Sequence, residues 1–175
     1  MTAAVPGKTS RCVGCGVVLP EIKGPVHEYV ESSPACWAVY SEVLAREYSD
    51  RELFAQVHRL SVDAYAVQHP GRPSPRSIQS VAVHLMGLCA VLERGATHAW
   101  ARKVIAEGAS LKGSFRWLEP PPSRGLVTVV QVWETKDLIE HADQVRNWAE
   151  SAWGAWSGHH ARVRQWLDSL GSPSA

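Results

Sequence analysis

The stretch RCVGCGVVLPEIKGPVHEYVESSPACW, residues 11–37, decides how this chain begins to fold. Cys12 and Cys15 form a CxxC, and two thiolates separated by two residues can chelate one tetrahedral ion. Gly14 and Gly16 permit the tight backbone turn that this requires. A redox CxxC usually opens a helix, whose N-terminal dipole lowers the thiol pKa. Here Gly16, Val17, Val18 and Pro20 follow, a run of poor helix formers, so the reading favours zinc over a redox pair. Cys36 falls in the first turn of a helix opened by Ser33-Pro34, where serine caps, proline is tolerated and the dipole favours a thiolate. A lone cysteine there is ordinarily just packed, but the chain from Cys15 to Cys36 has no other reason to fold back. His27 lies between them, and C-x2-C-x11-H-x8-C supplies four zinc ligands: Cys12, Cys15, His27 and Cys36. His69 is the rival fourth ligand, because an antiparallel second helix would return it towards Cys36. His27 is preferred.

Working outward, the first helix runs from Ser33-Pro34 to about Tyr48. Asp50 caps a second, whose row Leu53, Val57, Leu60, Ala64 and Val67 keeps the spacing of a buried face. It stops at His69-Pro70-Gly71. Ser74-Pro75 opens a third helix reaching about Arg94-Gly95, apolar over much of its circumference and therefore the most buried. A short helix is expected over His98–Glu107, and a proline-rich loop over Lys112–Arg124. Leu126–Val132 reads as a strand or an extended crossover. The last helix runs from about Thr135 to Leu170, kinked near Gly154 or Gly158. The fold expected is mainly α, a helical bundle of about four helices with an N-terminal zinc-binding knuckle. Residues 11–170 form one helical domain, with 11–36 the zinc-binding segment and 34–170 the bundle. Residues 1–10 and 171–175 are expected to be disordered tails.

The chain has 175 residues, 45% hydrophobic and 20% charged, which suits one domain able to bury a core. Net charge is +1, with no basic stripe, so nucleic acid is not an expected partner. No run approaches ~18 uninterrupted apolar residues, and the N-terminus lacks the apolar core of a signal peptide, so no membrane is expected and the default compartment is cytoplasmic. Cysteines there serve metal ligation or core packing rather than disulfides. Eight tryptophans leave a homodimer face open as an alternative to core filling.

The blocks CxxCG, GPVHEYVESSPACW, HRLSVDAYAVQHPG and QSVAVHLMGL together resemble an uncharacterised bacterial family, a domain of unknown function, over nearly the whole chain. The resemblance implies that Cys12, Cys15, His27, Cys36, His58, Asp63, His69 and His84 lie within the family's signature blocks. It brings no activity and no catalytic residue.

A second site is also expected. His58 and His84 lie about equally far from the Pro70–Pro75 turn, so antiparallel helices place them at similar height, with Asp63, Tyr65 or a metal as partners. His58, Asp63, His69 and His84 are thus candidate cofactor-binding residues, and His141 or His159 could add a third ligand. The bland alternative is that these histidines are hydrogen-bonded neighbours of core tryptophans. Helix order and the tryptophan-rich last helix also resemble DinB-like four-helix bundles, which include metal-dependent thiol transferases and isomerases. Their pattern has a histidine pair on the last helix, whereas His159-His160 here are adjacent and point about 100° apart. Two functions follow: a zinc-stabilised binding or structural module for a small molecule or a protein, or a metal-dependent enzyme, a hydrolase or thiol transferase, using His58, His84 and a third ligand.

Overall fold

The computed structural model describes residues 4–110 and 113–170. The chain opens with an antiparallel hairpin of β1 (Ala4–Arg11) and β2 (Val18–Ile22), in which Ser10 faces Leu19 and Arg11 faces Val18. Residues 4–10, expected as a fraying tail, are therefore paired: the β-branched run Val17-Val18 that disfavours helix leads into the partner strand. Residues 1–3 and 171–175, expected as tails, lie outside the described residues.

Helix α1 (Pro34–Ser49) is capped by the Ser33 hydroxyl, which accepts from Cys36 N at 3.2 Å. Asp50 ends α1 and begins α2 (Arg51–Gln68), accepting from Leu53 N at 2.8 Å. One residue thus serves two helix ends, and the chain turns without a loop. Ser74 caps α3 (Pro75–Leu88), which continues through one π-helical turn at Cys89–Glu93. Helix α4 (His98–Ser110) follows.

Two expectations change after the proline-rich loop. Val129–Trp133 is a short helix, α5, rather than a strand. Thr128 and Gln131 form a reciprocal capping box there, which satisfies orphan donors and outweighs the β preference of the valines. The single last helix is divided into α6 (Leu138–Ala155), a 3-10 turn (Ser157–His159) and α7 (His160–Asp168). The break follows Trp156, whose buried indole donates to Val67 O at 3.2 Å. Rephasing after the break turns Val163 and Leu167 inward, with Trp166 only part-buried.

The described residues are thus mainly helical, with seven α-helices and a small two-stranded sheet. Helix α2 is central and touches α1, α3, α4 and α6. Its neighbours bury Leu85, Met86, Leu88 and Trp148 in the shared core, each such side chain stabilising the fold by about 1.5–3 kcal/mol. Pro75–Glu93 is long and apolar enough to cross a membrane by length and composition alone, but most of it is buried against the rest of the protein. Trp148 donates to Gln68 Oε1 at 2.8 Å, and Gln68 donates to the carbonyls of Arg124 and Val127 at 2.9 and 2.8 Å. This buried relay ties the loop after the prolines to the end of α2, beside the N-terminal knuckle.

Candidate metal centre

The turn between β1 and β2 carries the CxxC. Cys12 N donates to Val17 O at 2.8 Å, Gly16 N donates to Cys12 O at 2.9 Å, and Gly16 takes the left-handed φ of +79° that the turn needs. No helix begins there, so the dipole that sharpens a redox cysteine is missing. Cys36 comes from the first turn of α1. His69 comes from the C-terminal cap of α2, which the antiparallel return brings over the start of α1.

Cys12, Cys15 and Cys36 Sγ and one His69 ring nitrogen all lie within 4.8 Å of one another. Cys15 Sγ and Cys36 Sγ are 3.7 Å apart, and Cys36 Sγ is 3.5 Å from His69 Nε2. Cys12, Cys36 and His69 are buried and Cys15 is half-buried. This cluster of three cysteines and one histidine could hold a metal ion.

The surroundings fit such a use. His69 Nδ1–H donates to Tyr65 O at 2.7 Å, which leaves the Nε2 lone pair facing the sulfurs. The Tyr65 ring stacks on His69 at 4.0 Å, and its hydroxyl donates to Cys36 Sγ at 3.6 Å. Ser33 N donates to Cys12 Sγ at 3.4 Å. Arg124 donates to Val13 O at 2.8 Å and also to Gly14 O, clamping the knuckle to the loop that Gln68 anchors. At Gly14, a Cβ would meet the His69 ring and would lie 2.7 Å from Glu31 O. Only glycine lets the knuckle lie this close to the imidazole.

With no ion, three thiols this close share negative charge poorly. Hydrogen bonds from Cys15 and Cys36 pull the Cys12 thiol well below its ordinary value. Donating that bond pushes Cys15 up to about 12, and Cys36 is likewise raised by its bonds to Cys12 and Cys15 and by burial. A bound cation reverses this, because it stabilises all three thiolates together.

His27 is not in the cluster. Its ring packs edge-on against Tyr29 at 4.4 Å and against Trp37 at 5.6 Å. It packs there against Trp37 of α1, while His69 lies with the three cysteines. The expected second site is divided in the same way. His69 belongs to the cysteines. His58 Nδ1 binds Glu47 Oε2 at 2.7 Å, and His84 Nδ1 binds Asp63 Oδ1 at 2.7 Å. Asp63 also accepts from both Arg59 Nε, at 3.0 Å, and Arg59 Nη2. Equal distance from the turn does not fix azimuth, and each imidazole turns to its own buried carboxylate.

Glu47 escaped the sequence reading, although it continues the apolar row Cys36, Tyr40, Val43 of α1. It is fully buried and accepts from His58, from Ser61 and, at 3.3 Å, from His141 Nε2. Arg46 donates to His141 Nδ1 at 3.2 Å, so His141 carries its proton on Nε2 and donates it to Glu47. Burial alone would raise the Glu47 carboxyl, but the bonds from His141, His58 and Ser61 hold it below the usual carboxylate range. His159 binds Glu119 O at 2.8 Å, and His160 stacks on Trp153 at 3.7 Å.

The model of the family of unknown function DUF5946 matches residues 10–157, and the chain belongs to that family. No curated protein and no solved structure matches the chain.

Proposed function

We propose that this member of DUF5946 is a zinc-stabilised helical module. One structural zinc held by Cys12, Cys15, Cys36 and His69 fastens the N-terminal hairpin to α1 and α2, and the helical body serves a small-molecule or protein partner. The supporting observation is the spacing of the four donors. Around a tetrahedral zinc with Zn–S near 2.3 Å and Zn–N near 2.0–2.1 Å, two sulfurs lie about 3.8 Å apart and a sulfur and a nitrogen about 3.6 Å. In the cluster Cys15 Sγ and Cys36 Sγ are 3.7 Å apart, Cys36 Sγ and His69 Nε2 are 3.5 Å apart, and all four donors lie within 4.8 Å of one another. Four protein donors fill a tetrahedral shell and leave no open position, which is the pattern of structural rather than catalytic zinc. Three thiolates, a neutral imidazole and Zn2+ sum to one negative charge. The donors from Tyr65 and Ser33 N offset it in part.

Metal analysis of the purified chain tests this reading. One zinc per chain is expected, lost in Cys36→Ser and retained in Cys89→Ser, since the Cys89 thiol is buried beside Glu93. A metal-free chain that is nonetheless folded, or full zinc content in Cys36→Ser, would overturn it.

A further inference from the structure

Away from the cysteines, α2 and α4 enclose a cavity of about 40 Å³ lined by Phe54, Ala55, His58, Arg59, His98 and Arg102. The helical spacing explains the set. Phe54 with His58, Ala55 with Arg59, and His98 with Arg102 are each four residues apart, so α2 and α4 both turn one face to the same space. Four of the six residues are arginine or histidine, and none is acidic.

We propose that this cavity is a binding site for a small oxyanion, a phosphate-like group either free or at the end of a larger ligand. Four features support it. Arg102 is exposed and makes no ion pair among the described residues, so its charge is uncommitted. Arg59 spends Nε and Nη2 on Asp63, and Nη2 also lies 3.1 Å from His84 Nδ1, which among the described residues leaves Nη1 for a ligand. His98 Nδ1 is buried with no hydrogen-bond partner, a state that ordinarily marks a missing ligand or water. Finally, His98 opens the 13-residue α4, and the Thr97 hydroxyl accepts from Trp100 N at 3.2 Å, so the positive end of that helix lies at the cavity.

The charges around His98 come from three elements: Asp63 and Arg59 on α2, Arg102 on α4 and Arg146 on α6. Asp63 is neutralised by Arg59, and Arg146 pairs with Glu150 at 3.2 Å. What remains uncompensated is the Arg102 charge together with the positive end of α4, with the Phe54 ring as an apolar wall. The His58 ring stacks on that wall at 4.3 Å, with Nδ1 donating to Glu47 and Nε2 3.4 Å from the Tyr48 hydroxyl, so it shapes the rim and leaves anion binding to the other basic groups. The volume admits roughly three water-sized bodies, enough for the three terminal oxygens of a phosphate group and too little for a larger group.

Calorimetric titration with inorganic phosphate, and in parallel with methyl phosphate, tests the proposal. Ionic strength is held constant with chloride so that general screening does not mimic binding. Saturable binding of either ion is expected, weakened about tenfold in Arg102→Ala and similarly in His98→Ala, as for the loss of one charge-assisted hydrogen bond. Lys23→Ala, in the connection after β2, should bind as the parent does. Circular dichroism melting and zinc content check that each variant is folded, and exposed Arg102 makes a folding defect there the least expected. Equal affinity for both ions assigns the site to a terminal phosphate group, and loss with methyl phosphate assigns it to the free ion. No saturable binding of either ion, or equal affinity in the parent and both cavity variants, overturns the proposal.

Discussion

Gly14→Ala should dismantle the metal centre without touching a ligand. The added methyl would lie 2.8 Å from His69 Cγ, nearer still to Cδ2, and 2.7 Å from Glu31 O. Ordinary contact begins at 3.4 Å, so the ring must retreat by about 0.6 Å or more, or the knuckle must lift away from it. The ring has little freedom to yield, because Tyr65 stacks on one face and Tyr65 O holds Nδ1. Metal–ligand distances tolerate only about 0.2 Å, so either movement breaks the His69 bond or strains those of Cys12 and Cys15. Losing one of four donors should weaken zinc about a hundredfold or more, at the upper end of what displaced supporting groups cost. Competition against a chromophoric chelator measures it, with melting followed by circular dichroism. Gly154→Ala is the matched control: its Cβ meets nothing within 4 Å, and it lies exposed on α6. Replacing a helical glycine there should stabilise by about 0.5–1 kcal/mol and leave zinc unchanged. Zinc affinity equal to the parent's in Gly14→Ala would refute the close approach of knuckle and imidazole.

Other expectations follow from the same geometry. His69→Ala should lose tight zinc while His27→Ala keeps it, and chelator competition giving the reverse order would return His27 to the site. Glu47→Gln should destabilise by about 2–3 kcal/mol, since a buried charged acceptor is replaced while His58, His141 and Ser61 still need partners. The Glu47 carboxyl is held below its unfolded value of about 4.3, so its stabilisation is complete above that pH and is lost as pH falls through the lower folded value. The stability difference between parent and Glu47→Gln should therefore shrink in acid, and a difference independent of pH from about 7 to about 3 would contradict that role.

The clustering of the three cysteines was readable because their spacing is a local constraint: a CxxC followed by a capped helix start with cysteine in its first turn points to one cluster. Which histidine joins them was not, because the linear C-x2-C-x11-H-x8-C pattern points to His27 and only the fold brings in His69. Choosing between them needs the packing of α2 on α1, which brings the C-cap of α2 over Cys36. The Thr128–Gln131 capping box has a sequence counterpart, T-x-x-Q, that the strand reading of the β-branched run left unused, and the strand preference of those valines matters only where a partner strand exists. The pairing of His58 with Glu47 and of His84 with Asp63 depends on azimuth around α2 and α3, which a count of residues from a turn leaves free. Glu47 did leave a signal, an acid continuing an apolar row, and such a residue points to a buried polar node.

X-ray absorption at the zinc edge of the purified, chelator-washed chain reads the coordination shell itself. One zinc per chain is expected, with three sulfurs near 2.3 Å and one nitrogen near 2.0–2.1 Å, and with no bound water oxygen. His69→Ala should lose the nitrogen shell or the metal, and His27→Ala should leave the spectrum unchanged. A shell dominated by nitrogen and oxygen, or an intact shell of three sulfurs and one nitrogen in His69→Ala, would contradict it.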